Sequence, residues 1–274
     1  MTDLTLVLGS RGKTGRRVLE GLTGRGVPVR AGTRGGERPF DWQDPATWEP
    51  ALENVRAVYV SYYPDLAAPG APEAIGDFSR LAVSVGARRL VLLSGRGEEE
   101  ARDCEKLLQD SGADWTILRA AWFNQNFSES YLLDPVLDGE VVLPAGDVPE
   151  PFVDVDDIAD VAVAALTDDR HIGEIYELTG PRLLTFAEAV ADISAATGRR
   201  IGYRQVPAGD YAAALAGAGV PEDVVGLLMY LFTTVLDGRN AQLGDGVRRA
   251  LGRSPRDFAD FARRTAATGL WNQR

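Results

Sequence analysis

The sequence predicts an α/β fold: a doubly wound parallel sheet with a small, mainly helical C-terminal part. Three observations carry that expectation. Short, unbroken apolar runs recur along the first 120 residues, as in strands buried on both faces. Amphipathic stretches at helical spacing separate them, so strand and helix alternate in the manner of parallel βαβ units. Beyond residue 183 the helical signals dominate.

Taken in order, Leu4–Leu8 is an apolar run expected to form the first strand, and residues 14–24 follow with Val18, Leu19 and Leu22 on one helical face. A second strand is expected over 27–33, a short helix over 46–52 and a third strand over 55–61. Residues 71–85 read as a helix, 89–94 as a fourth strand, 98–111 as a helix and 115–119 as a fifth strand. The alternation then loosens over 121–151, a stretch with Trp122, Phe123, Phe127 and Tyr131 that ends at Pro149-Glu150-Pro151. Residues 156–167 are helical again, and 175–178 return a sixth strand to the sheet. Thr185 and Glu188 have the spacing of a capping box, in which hydroxyl and carboxylate satisfy free amides at a helix start. Helices are expected over 187–197, 210–218 and 223–236, and a last one beginning at Ser254-Pro255, serine as cap and proline at the first helical position. The expected division is 1–182, with 122–151 as an excursion, and 183–274.

A net charge of −11 sets most of the surface against polyphosphates and anionic bilayers, which argues against nucleic-acid and membrane partners. An anion bound here must meet a local basic cluster. Cys104 and His171 are each the only residue of their type. An intrachain disulfide is excluded, and so is a Cys/His zinc cluster, which needs roughly three or four such ligands. Catalysis by a Ser-His-Asp or Cys-His set would rest on His171 alone, in a polar stretch that reads as a loop. Asp154, Asp156 and Asp157 precede or open a helix and read as charge on its dipole, so no metal is expected. With no secretory leader read at the N-terminus and no apolar run of spanning length, a cytoplasmic monomer or homodimer is expected.

Directly after the first strand stands Gly9-Ser10-Arg11-Gly12-Lys13-Thr14-Gly15, the spacing G-x-x-G-x-x-G. Glycines there let the backbone approach a diphosphate, and the following helix offers it unpaired amides and a positive dipole end. That context, between a strand and a helix, is the one a Rossmann-type dinucleotide site needs. An NAD site usually places Asp or Glu at the end of the second strand, where it accepts from the ribose hydroxyls. Here the position falls at Thr33-Arg34, and the first acid afterwards is Glu37. Arg34 and Arg11 suit a 2′-phosphate, so NADP (NADPH) is favoured over NAD. Ser61 and Tyr62 end the third strand and Ser94 and Gly95 the fourth; ligands of open parallel sheets lie at those carboxyl ends.

The chain resembles the NmrA-like family of atypical short-chain dehydrogenases, in the branch that includes ergot-alkaloid-type reductases and bacterial NAD(P)-binding homologues. The stretches that carry the resemblance are 7–17, 114–119 (Asp114-Trp115-Thr116-Ile117-Leu118-Arg119), 122–127 (Trp122-Phe123-Asn124-Gln125-Asn126-Phe127), 152–158 and 176–180. The resemblance implies an NADP(H)-binding Rossmann domain with a substrate-facing C-terminal part, and a small-molecule substrate bordered by the segment after Arg119. Trp122, Phe123 and Asn126 are its candidate substrate residues, the two aromatics reading equally well as core. The family mixes reductases of quinones, imines or enals with members that only sense the cofactor's redox state.

Many short-chain dehydrogenases use Tyr-x-x-x-Lys, in which an ammonium lowers the tyrosine pKa. The two lysines here, Lys13 and Lys106, are preceded four positions earlier by Gly9 and Arg102, so no such pair exists. Ser94, Tyr62 and Lys106 remain as weak candidates for moving a proton. The sequence therefore points to hydride transfer from NADPH to a small conjugated acceptor such as a quinone, enone or imine. Its alternative is a non-catalytic NADP(H) sensor.

Overall fold

The computed structural model describes residues 4–272. The chain forms two compact units, neither of them continuous in sequence: one comprises residues up to 120, 155–178 and 245–253, the other 121–154, 179–244 and residues from 254 onward. The division thus falls elsewhere than at residue 182. The stretch after β5, read as an excursion from the first domain, belongs to the second unit, and residues 245–253 return to the first.

In the first unit, β1 (Leu4–Leu8), β2 (Val29–Gly32), β3 (Val55–Val60), β4 (Arg89–Gly95), β5 (Asp114–Ala120) and β7 (Glu174–Leu178) form one sheet. Its order is β2-β1-β3-β4-β5-β7 and every pairing is parallel. Leu6, Leu8, Val58, Val60, Leu90 and Leu92 share one apolar cluster with Phe78, Cys104 and Leu108. That face is covered by α2 (Trp48–Leu52), α3 (Ala71–Ser84) and α4 (Glu99–Gln109). Alternate residues such as Val7 and Val91 point the other way and are equally buried, as the period of two requires. There α1 (Lys13–Gly24) packs on α7 (Val155–Thr167), which also lies on β3, β4 and β5. The helices approach so closely that a Cβ on Gly21 would stand 2.9 Å from Val163. A short helix unassigned from sequence, α11 (Gly246–Leu251), packs on α7 and β7 with Val247 and Ala250 buried.

The second unit is mainly helical, with α5 (Asn126–Glu129), α6 (Leu133–Asp138), α8 (Phe186–Thr197), α9 (Ala208–Gly217), α10 (Glu222–Tyr230) and α12 (Phe258–Ala267). It also holds a parallel pair of strands, β6 (Glu140–Leu143) and β8 (Gly202–Gln205), that the sequence did not announce. Phe127, Phe152, Phe186 and Phe258 meet in its core, and the buried Trp271 donates its indole N–H to the Phe127 carbonyl at 2.9 Å. The capping box at Thr185 and Glu188 forms with both bonds in place. The last helix starts later than expected. Its cap is Asp257, which accepts from the Ala259 amide at 2.8 Å, not Ser254. Asp257 is held there by Arg182, at 2.8 Å, an ion pair from a distant segment that no local signal reveals. The run expected to be helical to residue 236 widens after Tyr230 into a π-helical turn, Leu231–Val235. Among the described residues no helix is long and apolar enough to cross a membrane.

Candidate cofactor site

The turn after β1 is built from what its glycines lack. Gly9 has φ +62°, in the left-handed region where a Cβ is strained. Its carbonyl accepts from the Gly12 amide at 2.8 Å. A Cβ on Gly15 would stand 2.2 Å from that same carbonyl oxygen, so the first turn of α1 lies directly on the loop. Gly12 occupies the N-cap with no side-chain cap, and the first turn carries no acid. An incoming anion therefore meets the positive end of the helix without a competing carboxylate. Ser61 at the end of β3 faces this turn, its Oγ 3.4 Å from the place of a Gly9 Cβ. Ser10 reaches the Gly32 carbonyl at 3.5 Å and ties the loop to β2, while Thr14 is buried beneath it. The Lys13 carbonyl accepts from Arg17 at 2.8 Å.

Beside the turn lies a cleft of about 480 Å³, lined among others by Ser10, Arg11, Thr33, Gly35, Gly36 and Arg38. Arg11, Arg30 and Arg38 line it, Arg34 lies between two lining residues in the chain, and the four differ in occupation. Arg30 donates to the Ala51 and Glu53 carbonyls at 2.6 and 2.8 Å, and Arg38 pairs with the Glu53 carboxylate. Burial and the neighbouring Arg38 lower the Arg30 pKa. Arg11 and Arg34 are exposed, and among the described residues neither has an ion-pair or hydrogen-bond partner. The Arg11 guanidinium lies 4.0 Å from the place of a Gly35 Cβ, and Thr33 donates its hydroxyl to the Gly35 carbonyl. Glu37 also lines the cleft, but the end of β2 itself carries Thr33 rather than an acid. The residues present fit a dinucleotide carrying a 2′-phosphate: a glycine turn opening a helix for the diphosphate, and the uncommitted Arg11 guanidinium in the cleft with exposed Arg34 beside the lining residues Thr33 and Gly35 in the chain.

The ends of β3 and β4 divide the proton-transfer candidates. Tyr62 is half-buried, its ring 5.0 Å from that of Trp42, and burial raises its pKa. Ser94 is buried and donates to Glu105 Oε1 at 2.6 Å. Glu105 also accepts from Arg119 at 2.6 Å, and Arg119 and Arg96 both reach Glu177. Its bond to Glu105 holds Arg119 charged, well above its usual pKa. The Ser94 hydroxyl thus belongs to a structural network joining β4, β5, β7 and α4. Lys106 is 73% exposed and pairs with Asp110 one turn on, away from the strand ends. Gly95 is overlain by the Glu98 carboxyl.

His171 is not a plain loop residue. It is buried in a 3-10 turn before β7, its Nδ1 2.7 Å from the Tyr176 hydroxyl, and burial lowers its pKa. Asp156 and Asp157 do open α7, but each meets an arginine as well, Arg17 at 2.6 Å and Arg253 at 2.7 Å. Asp154 accepts from Gln125 and Arg264. Among the described residues no group of His, Cys, Asp or Glu is placed to hold a metal ion.

In the second unit, Trp122 is half-buried against Phe186 and Phe232, ring centres 5.4 and 5.2 Å apart, and its indole N–H donates to Tyr131 at 3.2 Å. Phe123 bridges to Val153, and Asn126 opens α5. Asn124 is fully buried, and neither of its amide atoms has a hydrogen-bond partner among the described residues. Sequence reasoning missed Trp42, which donates to the Ser61 carbonyl at 3.0 Å and meets Phe40, Trp48 and Phe78 edge to face. The clustering of three aromatics within nine positions after β2 was the available signal.

Residues 9–169 match the model of an NAD(P)H-binding family and residues 102–258 that of the NmrA-like family. Agroclavine dehydrogenase of Claviceps fusiformis is 30% identical, covering 93% of this chain and 95% of its own. NAD(P)H azoreductase of Xenophilus azovorans is also 30% identical, over 90% of this chain and 85% of its own. The NADPH-dependent quinone oxidoreductase QOR2 of Escherichia coli, solved with NADPH, has the same fold: TM-score 0.81 at 22% identity, covering 98% of this chain and 100% of that one.

Proposed function

Because the chain belongs to the NmrA-like family and carries its NAD(P)H-binding region, we propose that it transfers hydride from NADPH to a small conjugated acceptor, such as a quinone, enone or imine. It is an NAD(P)H-dependent oxidoreductase of the atypical short-chain dehydrogenase type. The observation that carries the choice of NADPH is the pair of exposed, uncommitted guanidiniums of Arg11 and Arg34 beside a strand end without an acid. Gly9 to Gly15 hold the diphosphate on the amides that open α1, with Lys13 at the same turn. Arg11, Thr33 and Arg34 take the adenosine 2′-phosphate on the β2 side. Since β3 and β4 lie on the opposite side of β1 from β2, Ser61, Tyr62 and Gly95 line the nicotinamide half.

The bound cofactor supplies the hydride, and a conjugated acceptor asks the protein chiefly for orientation. That accords with a chain that has no Tyr-x-x-x-Lys pair, with Ser94 tied to Glu105 and with Lys106 in solvent. Trp122, Phe123 and Asn126 are the residues we assign to the acceptor. The relatives named for agroclavine and azo compounds, and the similar fold named for quinones, support acceptors with extended π-systems.

The test is oxidation of NADPH, followed by its absorbance, against a panel of quinones, enals, imines and azo dyes. Turnover of at least one class is expected. Tight NADPH binding with no turnover of any class would overturn the reaction and favour a redox sensor.

A further inference from the structure

Past the carboxyl ends of β3 and β4 stands a pair of carboxyls with no role so far, Glu98 buried and Asp65 half-buried. Glu98 closes the turn after β4 and holds the N-cap position of α4, from which a short polar side chain ordinarily turns back on its own helix amides. Glu98 makes no such bond. Its carboxyl folds over Gly95 instead, where a Cβ would stand 2.2 Å from it, and hydrogen-bonds Asp65 in the loop between β3 and α3. Asp65 accepts in addition from the Ala67 amide at 2.9 Å. The bond joins two backbone segments that the sheet does not join. On one are Ser61 and Tyr62, on the other Gly95.

Two carboxyls hydrogen-bond each other only with a proton between them, because a carboxylate donates nothing. The surroundings favour keeping that proton. Burial, then the adjacent Asp65, push Glu98 up to about 9, and burial raises Asp65 as well. The charged group bearing on both is Glu100 of α4, also an acid. Arg96 on the same turn is engaged by Glu177 at 2.7 Å. From α4, Cys104 also grips this loop through the Leu66 carbonyl, and its thiol is pushed up to about 12 by burial, with Asp103, Glu105 and Glu73 adding to the shift. Tyr62, facing Cys104 and Glu73, is raised above its ordinary value too.

We propose that the Asp65–Glu98 pair is a proton-held clasp that positions the cofactor-facing ends of β3 and β4. With the shared proton in place it fixes the loop bearing Ser61 and Tyr62 to the turn bearing Gly95. Once the proton is lost, two adjacent carboxylates, one buried and one half-buried, repel and the loop is released. The inference rests on the reading that the nicotinamide half lies along these strand ends. Both residues act through others, as positioning residues.

The experiment is the affinity of the full chain for NADPH, read by cofactor fluorescence from about pH 7.5 to about pH 10, where the charge on the cofactor is constant. Carboxyl 13C spectra of the cofactor-free protein accompany it. Affinity is expected to fall by roughly tenfold over that range as one glutamate titrates. Glu98→Gln, whose amide cannot lose a proton, is expected to abolish the slope whatever its affinity at neutral pH, and Asp65→Asn is expected to do so from the other side should the first variant not fold. A flat wild-type profile, or the same slope in the variants, overturns the clasp alone. An absence of NADPH binding at every pH overturns the dinucleotide reading and the clasp with it.

Discussion

Replacing Gly15 by alanine probes the cradle more sharply than removing any charge. Alanine is ordinarily the better helix former by about 1 kcal/mol, so an unobstructed site would gain stability. At Gly15 the new Cβ meets the Gly9 carbonyl oxygen at 2.2 Å, its carbon at 2.6 Å and the Leu8 carbonyl oxygen at 3.0 Å. All three are backbone atoms and cannot rotate aside. Either α1 or the turn must shift by about 1 Å, an overpacking that costs roughly 1–3 kcal/mol and outweighs the propensity gain. The same shift carries the opening amides of α1 out of hydrogen-bond range of a diphosphate. Each charge-assisted bond lost is worth about 1.5–3 kcal/mol, so NADPH affinity is expected to fall by roughly tenfold to a hundredfold. Gly24, the last residue of the same helix, has nothing within 4 Å of its Cβ position, and Gly24→Ala is expected to be neutral or slightly stabilising. Urea unfolding and fluorescence titration of both variants read the difference. A Gly15→Ala protein that unfolds at the wild-type midpoint and binds NADPH equally well refutes the reasoning.

Arg34→Ala should weaken NADPH by about 1–3 kcal/mol, toward the low end because the side chain is solvent-screened, and leave NADH nearly unchanged; equal losses measured for both cofactors would remove the phosphate contact. Ser94→Ala deletes a donor to buried Glu105, so urea unfolding should register a loss of about 1–2 kcal/mol while NADPH affinity stays put; a loss of turnover at undiminished stability would make Ser94 catalytic after all. His171 is held neutral by burial, its folded pKa below the unfolded value. Its contribution is therefore complete above the unfolded pKa, about 6.5, and disappears as pH falls through the folded one. Thermal melts should show a loss below about pH 6 that is smaller in His171→Asn, and an equal loss in both would rule out His171 as its source.

Much of the sheet and of the cradle was legible because the signals are local. An apolar run buried on both faces gave β1, and glycines at fixed spacing before an amphipathic helix gave the turn and α1. What escaped was decided by partners far along the chain. β6 and β8 are four residues each and pair across some sixty positions, too short for a period to emerge. Glu105 lies on a helix rich in acids, and only Arg119 and Ser94 explain its burial. Asp257 rather than Ser254 caps α12 because Arg182 holds it. Asp65 and Glu98 look like ordinary surface acids until the fold sets one against the other.

The interleaving of the two units has a consequence for how this chain is made. The backbone passes from one to the other after residues 120, 154, 178, 244 and 253. A ribosome that has released only the first 120 residues has delivered five strands, but neither β7, which closes the edge beside β5, nor α7, on which α1 rests. The nascent cradle must therefore wait with its apolar flank and strand edge bare, a state open to aggregation. Any attempt to express the nucleotide-binding half as a simple N-terminal fragment inherits the same exposure.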